Sequence, residues 1–183
     1  MNNTFDFDKI VSAIDQQKRP ALHLWNPELS GDIDISIDQQ GVWWHCGDQF
    51  KRQQIPSMFA RILCREQDQY FLKTPVEKWR IKVLDVPFYF IHLSTKETEL
   101  GLQLSLVSRT QDMVTLDQEH TLRLSINPET DEPTPYINVR GGMEGKLSRS
   151  LYYQLVELAT DDELAQQLFI SSAGVKINIG SYR

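Results

Sequence analysis

A chain of 183 residues, 40% hydrophobic and 24% charged, holds enough apolar side chain for one ordinary core or two small ones, which excludes a wholly disordered protein. Its formal net charge is -6 and its basic residues are scattered, so the electrostatic footprint of a nucleic-acid binder is missing. No apolar run is long enough to span a bilayer, and the acidic opening "MNNTFDFDKI" lacks the basic-then-apolar order of a secretory signal; the expectation is a cytoplasmic protein with no membrane partner.

Phe7, Ile10, Val11 and Ile14 stand at helical spacing and predict a first helix over residues 5–17, closed off by Pro20 and Pro27. Ile33, Ile35 and Ile37 then alternate with polar residues, and "DQQG" separates them from "VWWHC", which predicts a hairpin with one wet face. The aspartates of this stretch do not make a calcium loop: counted from Asp32, the glycine position is Ile37 and the glutamate position is Trp43. Ile55, Met58, Phe59, Ile62 and Leu63 predict a one-sided helix with Pro56 in its first turn.

Thr74 and Pro75 mark a turn, and Trp79, Ile81 and Val83 share one face of the strand after it. A further strand begins just after Pro87, and the alternations at Leu100 to Leu106 and Leu122 to Ile126 predict antiparallel sheet. Tyr136, Ile137 and Val139 lead into "RGGMEGK", followed by Leu147, Leu151, Leu155 and Leu158 at helical spacing and the strand pair "LFISSAGVKINIG". Gly141, Gly142 and Gly145 fit neither G-x-x-x-x-G-K-[ST] nor G-x-G-x-x-G, because Arg140 and Leu147 occupy decisive positions of the first and the spacing fails the second. They are therefore expected to serve the backbone at a strand-to-helix junction.

This order of strand, Gly-rich turn, basic residue, helix and strand pair occurs twice, with Phe71 aligning to Phe169 and Ile81 to Ile177. The predicted fold is accordingly α+β, with two related halves, each a helix packed on mainly antiparallel strands in a repeated strand-turn-helix-strand motif. The predicted domains are residues 1–84 and 85–183.

"YFLKTPVEKWRIKVLDVPF" and "NPETDEPTPYINVRGGMEGKLSRSLYYQLVELA" resemble the bacterial domain-of-unknown-function family 1285. Thr74, Pro75, Val76, Glu77, Asp85, Pro87 and Phe88 match its first segment; Pro135, Tyr136, Val139, Arg140, Gly141 and Gly142 match its second. The resemblance runs from about Gly41 to the C-terminus. It implies a two-part protein of mixed helix and sheet with a small-ligand or signalling role, and no established activity.

The residues expected to bind a ligand are Thr74, Glu77, Lys78, Trp79, Arg80, Tyr136, Arg140, Gly141 and Gly142, placed at equivalent-looking ends of the two halves. Arg140 and glycine N–H groups would hold an anion, with Trp79 and Tyr136 as walls. The plainer alternative makes Thr74 and Glu77 a turn or capping pair and lets Arg140 pair with Glu77 or Asp85. A second function reading takes Glu77 and Asp85 as acid and base of an enzyme, with Arg140 on an anionic substrate; a third is a protein-interaction or assembly module. No catalytic constellation is complete. His45 and Cys46, neighbours on a strand, are expected on opposite faces, and His23, His92 and His120 are isolated from any second ligand. Cys46 and Cys64 are too few for a disulfide framework or a zinc site. No metal or cofactor is expected; the predicted partners are a small, anionic molecule and a protein to which its presence is signalled.

Overall fold

The computed structural model describes residues 20–162 and 166–181. The first predicted helix, over residues 5–17, lies outside them. The chain divides into two compact units, the first ending at Pro87 and the second beginning at Phe88.

The first unit is a six-stranded sheet with one helix. Strands β1 (Leu29–Ile37), β2 (Trp43–His45) and β3 (Asp48–Gln49) are followed by helix α1 (Gln54–Ile62) and strands β4 (Leu63–Glu66), β5 (Gln69–Lys73) and β6 (Lys78–Val83). Their order is β3-β2-β1-β6-β5-β4. All pairings are antiparallel except β1 with β6, where Asp32 stands opposite Arg80 and Ile37 opposite Val83. The β1–β2 turn is built by Asp38, whose Oδ1 accepts from Gln40 N at 2.8 Å and Val42 N at 2.9 Å while Gly41 takes a φ of 70°. Helix α1 buries Pro56, Phe59, Ala60 and Ile62, and Phe59 meets the Trp43 ring at 6.0 Å, so the helix covers the sheet face that carries Ile35, Ile37, Trp79 and Ile81.

The second unit carries a six-stranded sheet, a small three-stranded sheet and one helix. The larger is formed by β7 (Phe88–Thr98), β8 (Gly101–Ser108), β9 (Met113–Thr115), β10 (Leu122–Ile126), β11 (Pro133–Arg140) and β12 (Met143–Leu147), in the order β10-β11-β12-β7-β8-β9. Here too one pairing is parallel, β12 with β7, placing Lys146 opposite Tyr89. Helix α2 (Arg149–Glu157) starts at Ser148, whose side chain accepts from Leu151 N, and buries Leu151, Tyr152 and Leu155. Strands β13 (Thr160–Asp162), β14 (Gln167–Ser172) and β15 (Val175–Ser181) form the small sheet. Tyr152 Oη donates to Ile179 O at 3.0 Å, and Ser172 Oγ accepts from Leu104 N at 3.1 Å, which ties this sheet to α2 and to β8.

The expected α+β repeat of a helix on antiparallel strands is therefore not the architecture. Strands dominate, only two α-helices occur among the described residues, and the two sheets are mixed. The similarity that aligns Phe71 with Phe169 and Ile81 with Ile177 falls on a β-hairpin in each unit, but the hairpins are used differently. In the first unit β5 and β6 complete the six-stranded sheet through the parallel β1–β6 pairing; in the second β14 and β15 join a sheet of their own. Alternating apolar residues specify a strand and its buried face, not its partner, so two like hairpins can enter unlike sheets. Gly141 and Gly142 likewise do not sit at a strand-to-helix junction. With φ of 54° and 71° they are the two central residues of the β11–β12 hairpin, closed by Arg140 opposite Met143, and such a turn needs positive φ at both positions. Gly145 serves packing instead: a Cβ there would run into the Phe90 ring and come within 3.0 Å of Phe88 Cβ.

Candidate functional site

The residues singled out in the first unit form a turn and a charged sheet face. Thr74 Oγ1 accepts from Glu77 N at 3.0 Å, and Thr74 N donates to Glu77 O at 2.8 Å, so Thr74–Glu77 is the tight β5–β6 turn. The Glu77 carboxylate accepts from Trp79 Nε1 at 3.2 Å. Trp79 itself is buried on the α1 side of the sheet, with its ring 3.5 Å from where a Gly31 Cβ would stand. Lys78 and Arg80 point the other way. Lys78 Nζ reaches Glu66 Oε2 at 2.8 Å, Arg80 Nη1 reaches Asp32 Oδ1 at 3.0 Å, and both lie over the Phe71 ring, at 5.2 and 5.9 Å. Lys73 adds a second bond to Glu66 at 3.2 Å. The hydrogen bond from Lys78 holds the Glu66 carboxyl below its ordinary value, burial opposing it and Lys73 adding to the lowering. Burial pushes the neighbouring Cys64 thiol up, away from a reactive thiolate.

In the second unit the predicted pair Tyr136 and Arg140 separates onto opposite faces of one sheet. Tyr136 stands opposite Lys146 on the outer face, but an irregularity between Asn138 and Arg140 shifts the register and puts Arg140 opposite buried Met143. Arg140 Nη1 donates to Asp112 Oδ1 at 2.8 Å, and its guanidinium lies 4.5 Å from the Phe88 ring centroid. Asp112 Oδ2 accepts from Thr110 Oγ1 at 2.8 Å, Thr110 lies 3.0 Å from Ser108 Oγ, and Ser108 Oγ accepts from Asp112 N at 3.0 Å. All three are buried. Arg140 thus locks the β8–β9 turn to the end of β11.

His45 and Cys46 also differ from expectation. Cys46 leaves β2 with a φ of 50° and Gly47 follows at 84°, and this tight turn swings Cys46 Sγ back to 3.5 Å from His45 Nε2. The His45 ring stacks on Phe50 at 5.9 Å.

A different group gathers where β12 ends and α2 begins. A cleft of about 200 Å³ is lined there by Tyr89, Lys146, Arg149, Tyr152 and Tyr153, with Glu132 and the Pro133–Pro135 segment on its other wall. Arg149 Nη1 pairs with Glu132 Oε1 at 3.1 Å and its Nε donates to Tyr153 Oη at 3.2 Å, the bond to Tyr153 first and the Glu132 charge second holding it more firmly protonated. Burial, with Tyr153 beside it, raises the Tyr152 hydroxyl above its ordinary value. Two cations and three tyrosines are a set that suits an anion carrying an apolar or planar part. None of these was an expected ligand-binding residue; Lys146 entered only as the lysine of a phosphate-loop pattern that the chain does not complete. Their signal was weak but real: the outward positions of β7 and β12 carry Tyr89 and Lys146, which meet only through the parallel register.

Two family descriptions cover almost the whole described chain: "Domain of unknown function (DUF1285), N-terminal domain" over residues 20–86 and "Protein of unknown function (DUF1285), C-terminal domain" over residues 87–179. The chain belongs to the DUF1285 family. A solved DUF1285 family protein from Silicibacter pomeroyi DSS-3 is 30% identical with a TM-score of 0.80, covering 93% of this chain and 92% of that one. Another DUF1285 family protein, from Shewanella baltica OS155, is 25% identical with a TM-score of 0.54, over 68% of this chain and 91% of its own. No curated protein matches the chain. The family has two domains, matching on either side of residues 86 and 87. No helix among the described residues of this DUF1285 chain is long and apolar enough to cross a membrane.

Proposed function

We propose that this DUF1285 protein is a cytoplasmic binding module for a small anionic molecule, with the site in the second unit, and that the bound state is signalled to a protein partner. The observation that carries the reading is the convergence of Lys146 and Arg149 with Tyr89 and Tyr153 around one cleft at the start of α2. Arg149 contacts Glu132 and Tyr153 while its side chain stays 68% exposed, so it remains accessible to an anion in the cleft. Free thiols at Cys46 and Cys64 fit a reducing compartment.

This reading moves the ligand away from Arg140, whose side chain is only 17% exposed against buried Asp112, to Arg149, which is 68% exposed. The acid-base alternative is weakened as well, because the Glu77 carboxylate is engaged in holding the Trp79 indole. The test is thermal denaturation of the wild type, Lys146→Ala and Arg149→Ala against inorganic phosphate, organic phosphates and dicarboxylates. At least one anion should raise the wild-type midpoint, and both substitutions should cut that rise. No rise with any of them, or a rise untouched by both substitutions, overturns the assignment.

A further inference from the structure

The outer face of the second unit's large sheet carries one straight row of side chains. Arg123 stands opposite Tyr136, Tyr136 opposite Lys146, and Lys146 opposite Tyr89, so strands β10, β11, β12 and β7 each contribute one. Directly opposed residues share a face, and neighbouring strands lie about 4.8 Å apart, so the Arg123 and Lys146 backbones stand about 10 Å apart, while the Arg123 guanidinium leans over Tyr136 towards Glu144 on the strand that carries Lys146.

Arg123 is held unusually well for a surface cation. Its guanidinium lies 4.3 Å from the Tyr136 ring centroid, and its edge donates two hydrogen bonds to the Glu144 carboxylate, both of 2.6 Å. Its side chain nevertheless remains 53% exposed. A planar cation fixed along its edge and backed by an aromatic ring is a stacking surface for a second planar group, as guanidinium planes are for nucleobases.

We propose that the anion taken by the second unit is a single nucleotide, its base stacked on Arg123 and its phosphate at Lys146 beside the start of α2. The inference rests on the anionic-ligand reading given above and names its class. The Arg123 plane and Lys146 share this outer face, so one ligand with a planar part and a phosphate can meet both. A chain of net charge -6 repels a long polyanion, which favours one nucleotide over a nucleic-acid strand.

Isothermal titration of the full chain with AMP, adenosine, ribose 5-phosphate and a short oligoadenylate tests it, with Arg123→Ala, Arg123→Lys and Lys146→Ala as variants. Circular dichroism identical to wild type qualifies each variant. AMP should bind roughly ten-fold or more tighter than ribose 5-phosphate, since a stacked base contributes on that scale. Arg123→Lys, which keeps the charge and loses the plane, should remove this preference and leave ribose 5-phosphate binding unchanged. Lys146→Ala should weaken both phosphates and spare adenosine. Equal binding of AMP and ribose 5-phosphate, both dependent on Lys146, overturns the nucleotide while leaving the anion site standing. Preference for the oligoadenylate overturns the single-nucleotide form. Binding of none of these probes overturns the nucleotide, and the anion panel above then decides separately whether the site survives.

Discussion

Replacing Asp112 by Ala strikes the most deeply buried charge among the described residues of the second unit. The Asp112 side chain is 5% exposed and accepts from Arg140 Nη1 and Thr110 Oγ1, each at 2.8 Å. Its loss leaves Arg140, only 17% exposed, without that carboxylate and strips Thr110 of an acceptor. Removing one partner of a buried pair costs about 3–5 kcal/mol; because Arg140 keeps some solvent and its contact with Phe88, about 3 kcal/mol is expected. Asp112→Asn, which keeps an acceptor oxygen and loses the charge, should cost less, about 1–2 kcal/mol. Urea denaturation followed by far-UV circular dichroism measures both. Tryptophan fluorescence reports the first unit separately, since Trp25, Trp43, Trp44 and Trp79 all precede Pro87. If the ion pair is the source, Asp112→Ala combined with Arg140→Met costs well below the sum of the single changes. A loss below about 1 kcal/mol for Asp112→Ala, or strict additivity in the double variant, refutes the reasoning.

Gly145→Ala should destabilise by about 1–3 kcal/mol through overpacking against Phe90 and Phe88, as read from the urea midpoint. Gly142→Ala, in open space but at a φ of 71°, should cost only about 1 kcal/mol of backbone strain. For Glu66, the folded carboxyl is held below its ordinary 4.5, so its contribution is fully present above that value and fades as pH falls through the lowered one. The stability difference between wild type and Glu66→Gln should therefore shrink on acidification below pH 4.5, and a difference constant from neutral pH downward contradicts the assignment. Exposed Cys46 should react with an aromatic disulfide reagent well before half-buried Cys64, whose thiol burial pushes up. Two thiols labelled at one rate in native protein would rule that out.

Much of the local structure was legible because it depends on local pattern. Phe59 and Ile62 at helical spacing marked α1, Leu151 and Leu155 marked α2, and Trp79 and Ile81 marked the buried face of β6. Thr74 with Glu77 read correctly as a turn. What escaped depends on pairings between distant strands. The parallel contacts of β1 with β6 and β12 with β7 are what make two mixed sheets, and nothing in an alternating run such as Leu29–Ile37 announces its partner. The candidate site suffered for the same reason. Tyr89 and Lys146 lie far apart in the chain and meet through one parallel pairing, while Tyr136 and Arg140, four residues apart, were separated by one irregularity in β11.

The central claim is that the second unit holds a small anion at Lys146 and Arg149. Native mass spectrometry of freshly purified wild type and of a Lys146→Ala, Arg149→Ala double variant, each then measured under denaturing conditions, tests it most directly. The account predicts a small anionic mass on the wild type that is lost on denaturation and is absent from or strongly depleted in the variant. The same mass retained equally by both proteins would contradict it.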